Sequence, residues 1–128
     1  MAVDQCELEQ QWMIEPALAY RVARVMERWQ REMGTEIRVI SGFRTASEQE
    51  SLRRRGRPAA SVDRSNHTVC PARAVDLYIG PLPTNVQKLR LGVMVFDEGL
   101  RWGGGSPVNP DTGIPSDWNH VDLGPRPS

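Results

Sequence analysis

The chain has two histidines, and each stands near acids. In Asp117-Trp118-Asn119-His120-Val121-Asp122-Leu123, one carboxylate precedes His120 by three residues and another follows it by two. The other histidine is His67. Between the two lies Asp76, set in the apolar run Ala74-Val75-Asp76-Leu77, where an unpaired charge would be costly. Two imidazoles and one carboxylate form a three-ligand set that leaves a fourth position open, the usual form of a catalytic zinc site. A site of that kind brings the pKa of a water down to about 7. A carboxylate within hydrogen-bond reach must then take the proton. Asp117 is the candidate base, since it sits at the mouth of a strand that carries His120. Asp111 is a poorer candidate, being nine residues from His120 in a turn. Asp122 shares a strand face with His120, so it is placed to hold the imidazole from behind.

Each residue alone has a plainer reading. His67 fits a surface-loop histidine, Asp76 the partner of one of many arginines, and Asp117 a turn residue. Spacing alone leaves both readings standing.

The elements that must position these groups are legible by period. Leu18, Val22, Val25, Met26, Trp29 and Met33 form one helical stripe, with Pro16 at its start and Gly34 at its end. This predicts a core helix over 15–33. Residues 36–40 alternate and are β-branched, which predicts a strand. Thr45 and Glu48 form a capping box for a helix over 46–55, stopped by Gly56 and Pro58. A long loop over 56–71 contains His67, and loops of that length are commonly functional. A second strand spans 72–79, with Ala74, Asp76 and Tyr78 on one face and Val75, Leu77 and Ile79 on the other. Thr84 caps a helix over 85–98, with Val86, Leu89, Val93 and Phe96 on one side. A short strand over 100–102 leads into Gly103-Gly104-Gly105 and turn residues, and the last strand spans 118–123. Residues 1–10 and 124–128 are expected to be loosely held termini. The fold class expected is α+β: a single domain over 1–128, with a small antiparallel sheet and helices packed to one side.

These residues together resemble the LAS zinc peptidases. That family comprises the D-Ala-D-Ala carboxypeptidases and dipeptidases and the phage L-alanyl-D-glutamate endopeptidases. Its pattern, Ser-x-His, Ala-x-Asp and later Glu- or Asp-x-x-His, is matched by Ser65-Asn66-His67, Ala74-Val75-Asp76 and Asp117-Trp118-Asn119-His120. Upstream, Ser41-Gly42-Phe43-Arg44-Thr45 and Gln49 are similar to the family's Ser-Gly-Tyr/Phe-Arg segment and its glutamine. Trp102-Gly103-Gly104 resembles a segment of the endolysin branch. The resemblance runs over about 18–123 with the motifs in family order. It implies one zinc ion on His67, Asp76 and His120, with Asp117 as general base and then acid. It implies that Arg44 faces the scissile carbonyl as an oxyanion donor, a role that suits a fixed fork of donors. It implies substrate contacts for Ser65, Gln49 and Ser41. Two departures are visible. The family's usual His-to-Asp separation is seven; here it is nine, with Ala72 in place of a glycine and an insertion in Thr68-Val69-Cys70-Pro71. The acid is Asp117 where many members have Glu.

The composition bounds the alternatives. Sixteen basic and sixteen acidic residues give zero formal net charge, which argues against a nucleic-acid binder despite Arg53-Arg54-Arg55-Gly56-Arg57. No apolar run approaches the ~18 residues of a membrane span, so no membrane insertion is expected. The N-terminus has no signal-peptide pattern. Cys6 and Cys70 do not form a disulfide framework. Cys70 reads as a buried small residue, or as a thiol near the metal. The expectation is a monomeric zinc metallopeptidase acting on the peptide of bacterial peptidoglycan. The favoured form is a phage-type endolysin that cuts L-Ala-D-Glu, made in the host cytoplasm and reaching the cell wall after release. The alternatives are a D-Ala-D-Ala carboxypeptidase and a non-catalytic phage structural or binding protein of the same fold.

Overall fold

The helix that carries the core stripe spans Pro16–Met33 (α2) and buries Leu18, Ala19, Val22, Ala23, Val25, Met26 and Trp29. Its ends are as expected: Pro16 occupies the first turn, and Gly34, at φ 67°, donates its N–H to the Gln30 carbonyl. The computed structural model describes residues 2–56 and 65–125. Residues 57–64, which include Arg57, Pro58 and half of the expected loop over 56–71, therefore lie outside the described residues, as do 126–128.

The stretch expected to be loose at the N-terminus instead contains a helix, Gln5–Trp12 (α1). Asp4 caps it by accepting the Glu7 N–H at 3.2 Å, and Leu8 is buried. The Trp12 carbonyl accepts the Phe43 N–H at 2.9 Å, and the Met13 carbonyl accepts the Ala72 N–H at 2.8 Å. These partners are distant in sequence, so periodicity could not reveal them. The capping-box helix is Ala46–Arg54 (α3), with both reciprocal Thr45–Glu48 bonds formed. The helix after Thr84 is Asn85–Asp97 (α4), and it too has a capping box, through Gln87.

α4 packs on a different face from the one the sequence emphasised. Leu91, Met94 and Val95 are buried, whereas Val86 is 67% and Phe96 78% exposed. Helical spacing supports either stripe, and tertiary partners decide. A Cβ at Gly92 would lie 2.5 Å from the Trp102 ring, so only glycine admits that ring against the helix. On the flank, Arg28–Asp97 at 2.7 Å and Arg90–Glu32 at 3.2 Å tie α4 to α2.

Four strands, Arg38–Ser41 (β1), Ala74–Tyr78 (β2), Arg101–Trp102 (β3) and His120–Asp122 (β4), make one antiparallel sheet in the order β1-β2-β4-β3. The molecule is an α+β fold, as the element pattern predicted. Val75, Leu77 and Val121 join the core formed by α2 and the buried side of α4. Because strand side chains alternate, Asp76 and His120 point to the opposite face. Their register makes them direct partners: Asp76 pairs with His120, and a register shift in β1 places Ser41 beside Asp76. A short 3-10 turn, Gly103–Gly105, follows β3 and packs against β4.

Candidate metal centre

Register alone brings Asp76 and His120 together; a turn brings His67. Ser65 Oγ accepts the His67 N–H at 3.1 Å, and the His67 carbonyl accepts the Arg44 N–H at 2.7 Å. The His67 ring is 2% exposed, and its Nδ1 lies 2.6 Å from the Gly42 carbonyl, which can only accept. That contact sets the tautomer with hydrogen on Nδ1 and leaves Nε2 facing inward. His120 is oriented in the opposite sense. Its Nε2 meets Asp122 Oδ2 at 2.6 Å, so Nδ1 faces inward.

The inward atoms form a triangle. His67 Nε2 to His120 Nδ1 is 3.2 Å, His67 Nε2 to Asp76 Oδ1 is 3.5 Å, and His120 Nδ1 to Asp76 Oδ1 is 3.6 Å. Zinc–nitrogen and zinc–carboxylate bonds of about 2.0–2.2 Å at tetrahedral angles require ligand atoms about 3.3–3.6 Å apart. The three donors therefore fit one face of a zinc tetrahedron. Among the described residues, His67, Asp76 and His120 are the group whose ligand atoms gather closely enough to hold a metal ion, and all three are buried.

The surroundings hold these donors in place. Asp122 is fully buried and accepts Arg101 Nε and Nη2 at 2.9 Å each. Arg101 was not foreseen; its only signal is its place on a strand beside Asp122. Asp76 gives its second oxygen, Oδ2, to Arg44, whose Nη1 also donates to Gln49 Oε1 at 3.2 Å. Burial pushes the Asp76 carboxyl up, but the His120 and His67 rings and then Arg44 outweigh it and hold it well below the usual carboxylate range. For His120 burial lowers the pKa, yet Asp122 and Asp76 raise it to about 9. Asp117 is half-buried, with Oδ2 3.8 Å from His120 Nδ1. Burial pushes its carboxyl up, against the opposing charge of His120. Gly104 lines the outer edge of the His120 ring: a Cβ there would stand 2.8 Å from His120 Cδ2.

The remaining expected residues divide by position. Ser41 and Arg44 line a cleft of about 660 Å³ together with Asp76 and Asn119. Gln49 and Ser65 are 1% and 3% exposed, behind Arg44 and His67 respectively. The two extra residues between His67 and Asp76 are absorbed without displacing Asp76. Ala72 is buried and bridges Ile14, while Cys70 is exposed and lies outside the metal-capable group, not buried as its reading as a small core residue required.

No protein-family model matches the chain, and no curated protein sequence does. Among solved structures, the fold matches the crystal structure of Serratia marcescens L-Ala D-Glu endopeptidase ChiX. The TM-score is 0.65 at 19% sequence identity, covering 96% of this chain and 88% of that one. The likeness establishes a shared fold.

Proposed function

We propose that this chain is a zinc-dependent peptidase that hydrolyses the peptide of bacterial peptidoglycan, cutting the L-Ala-D-Glu bond as phage-type endolysins do. The observation that carries the reading is the buried donor triangle of 3.2, 3.5 and 3.6 Å on His67, Asp76 and His120. Its setting in a fold shared with an L-Ala D-Glu endopeptidase supports the choice of substrate. His67 Nε2, Asp76 Oδ1 and His120 Nδ1 would hold the ion. When bound, zinc supplies a Lewis acid that acidifies water and polarises a carbonyl.

The chain's own residues supply the rest. Asp117 takes the proton of the attacking water on its carboxylate and delivers it to the leaving amine. Its raised pKa suits a group that must both accept and release a proton. Arg44 lines the cleft beside Asp76 and offers donors to the carbonyl oxygen as negative charge develops there. Gln49 and Ser65 act as positioning residues, one holding the Arg44 guanidinium and the other the His67 backbone. We assign the activity to a monomer made in the host cytoplasm that meets the wall after release. No described helix is long and apolar enough to cross a membrane.

The test uses purified peptidoglycan with and without chelator, with the new chain ends identified by mass spectrometry. A new N-terminal D-Glu that disappears with chelator is the expected result. Released D-Ala would instead assign a carboxypeptidase. Failure of the purified chain to hold even a tenth of an equivalent of zinc would overturn the site.

A further inference from the structure

We propose that Asn66 is a positioning residue of the candidate metal centre: its carboxamide fastens the turn that carries His67 to Gly124, whose own N–H fastens the Asp122 carboxylate behind His120. One backbone residue thereby serves both histidine donors. The inference rests on the zinc site of the reading above and gives a role to a residue which that reading leaves idle. Asn66 stands between Ser65 and His67 and is 3% exposed. Its Nδ2 lies 2.6 Å from the Gly124 carbonyl, 58 residues away. A carbonyl can only accept, so the carboxamide nitrogen is the atom that meets it. Gly124 in turn donates its N–H to Asp122 Oδ1 at 2.7 Å, and Asp122 Oδ2 is the oxygen on His120 Nε2. The backbone repeats the link. The Asn66 carbonyl accepts the Arg73 N–H at 2.8 Å, and the Arg73 carbonyl accepts the Leu123 N–H at 3.1 Å.

The chain after His67 gives it little support. The separation from His67 to Asp76 is nine residues, and among the described residues Val69, Cys70 and Pro71 make no hydrogen bond. The next backbone N–H with a distant partner in this stretch is that of Ala72, on the Met13 carbonyl. His67 is therefore placed by Ser65 and Asn66 before it and by the Gly42–Arg44 segment. His67 Nε2 and His120 Nδ1, 3.2 Å apart, keep that spacing only if their two arms move together. The Asn66 side chain joins the arms. Its other atom, Oδ1, is buried with no partner. An unpaired buried acceptor destabilises, and an apolar side chain of the same shape would remove both it and the bond at little net cost. What an apolar side chain cannot do is hold Gly124. The choice of asparagine thus fits a demand of the site better than a demand of the fold.

The test uses full-length Asn66→Leu, which keeps the shape of the side chain, with Asn66→Ala to carry the same measurements should the first not fold. The control is Thr35→Val, which removes a bond at the end of α2, Trp29 Nε1 to Thr35 Oγ1 at 3.1 Å. Zinc affinity, read by chelator competition, should fall about tenfold in the Asn66 variants, the scale for a group that holds a ligand in place. It should stay within twofold in Thr35→Val. On top of Asp122→Asn, Asn66→Leu should weaken zinc only about threefold, because the path to His120 is already cut. In the metal-free chain, amide exchange should quicken about tenfold in Asn66→Leu both at Arg44, whose N–H the His67 carbonyl takes, and at Gly124, and at neither in Thr35→Val. Unchanged zinc affinity in the Asn66 variants, beside hydrolysis by the wild type, removes the clamp and leaves the peptidase. Losses that multiply fully with that of Asp122→Asn confine Asn66 to His67 and overturn the shared clamp, as does unchanged exchange at either amide. Linked exchange at Arg44 and Gly124 in a chain whose wild type takes up no zinc removes the peptidase and leaves the clamp.

Discussion

The Asp122 carboxylate holds His120 from behind: its Oδ2 lies 2.6 Å from His120 Nε2, while the Arg101 guanidinium takes both of its oxygens at 2.9 Å. The imidazole is therefore locked with Nδ1 toward His67 and Asp76. Asp122→Asn keeps the shape and removes the charge. Zinc affinity should fall about 10- to 100-fold, the usual cost of losing such a partner. Competition against a chelator of known affinity measures this directly. Unchanged affinity would mean that the ion does not use His120.

The acid pairs also set the pH response. The ordinary imidazole pKa is 6.5, and Asp122 and Asp76 raise that of His120 to about 9 against the effect of burial. A folded value above the unfolded one gives stability that is complete below about 6.5 and lost as pH rises through about 9. Asp76 and Asp122 shift the other way, below 3.8, despite burial. Their contribution is present above about 3.8 and lost as pH falls through the depressed folded values. Chelator-treated protein should thus be most stable between about pH 4 and 6.5, read as the urea midpoint across pH. Zinc needs the Nδ1 lone pair and must displace the His120 proton. Apparent affinity should climb about tenfold per pH unit between pH 7 and about 9. A flat profile would rule out His120 as the titrating ligand.

Arg44 bridges Asp76 Oδ2 and Gln49 Oε1 with two separate nitrogens. An ammonium cannot span both acceptors with that geometry. In Arg44→Lys the charge survives, so zinc should be retained. Peptide hydrolysis should fall about 10²- to 10³-fold, the scale of a lost oxyanion donor. Zinc content by elemental analysis, taken beside kcat, separates the two effects. Loss of zinc with intact specific activity per ion would make Arg44 a support for Asp76 and nothing more.

What could be read from the chain and what could not follow one division. α2, α3 and the Asp76 and His120 faces depend on neighbours within four residues: Pro16 and Gly34, Thr45 and Glu48, and strand alternation. α1 and the packing of α4 depend on distant ones. α1 has one buried apolar residue, Leu8, and is anchored through Phe43 and Ala72. α4 carries two apolar stripes, and the choice falls to Trp102 lying on Gly92. The site divides likewise. The Asp122 position behind His120 follows from period 2 on one strand. The Gly42 carbonyl on His67 and the Arg44–Asp76 pair span 25 and 32 residues, and residue type does not announce them.

Gly104 explains one motif in physical terms and yields the most local test. It has φ 60°, and a Cβ there would lie 2.8 Å from His120 Cδ2 and 3.0 Å from Nε2. Gly113 has φ 75° with nothing within 4 Å. Alanine at either position bears the left-handed backbone penalty, about 1–2 kcal/mol. Only Gly104→Ala also pushes on the imidazole, and the ring cannot retreat because the buried Asp122 carboxylate, itself held by Arg101, lies against its far side. Both variants should show similar losses in urea midpoint from the backbone, with a further loss in Gly104→Ala. Zinc affinity should drop at least tenfold in Gly104→Ala, since a ligand atom displaced by a few tenths of an ångström leaves the tetrahedral face. Gly113→Ala should bind zinc as the wild type does. Equal zinc affinity in the two variants would show that the glycine serves the turn alone and leaves the His120 ring untouched.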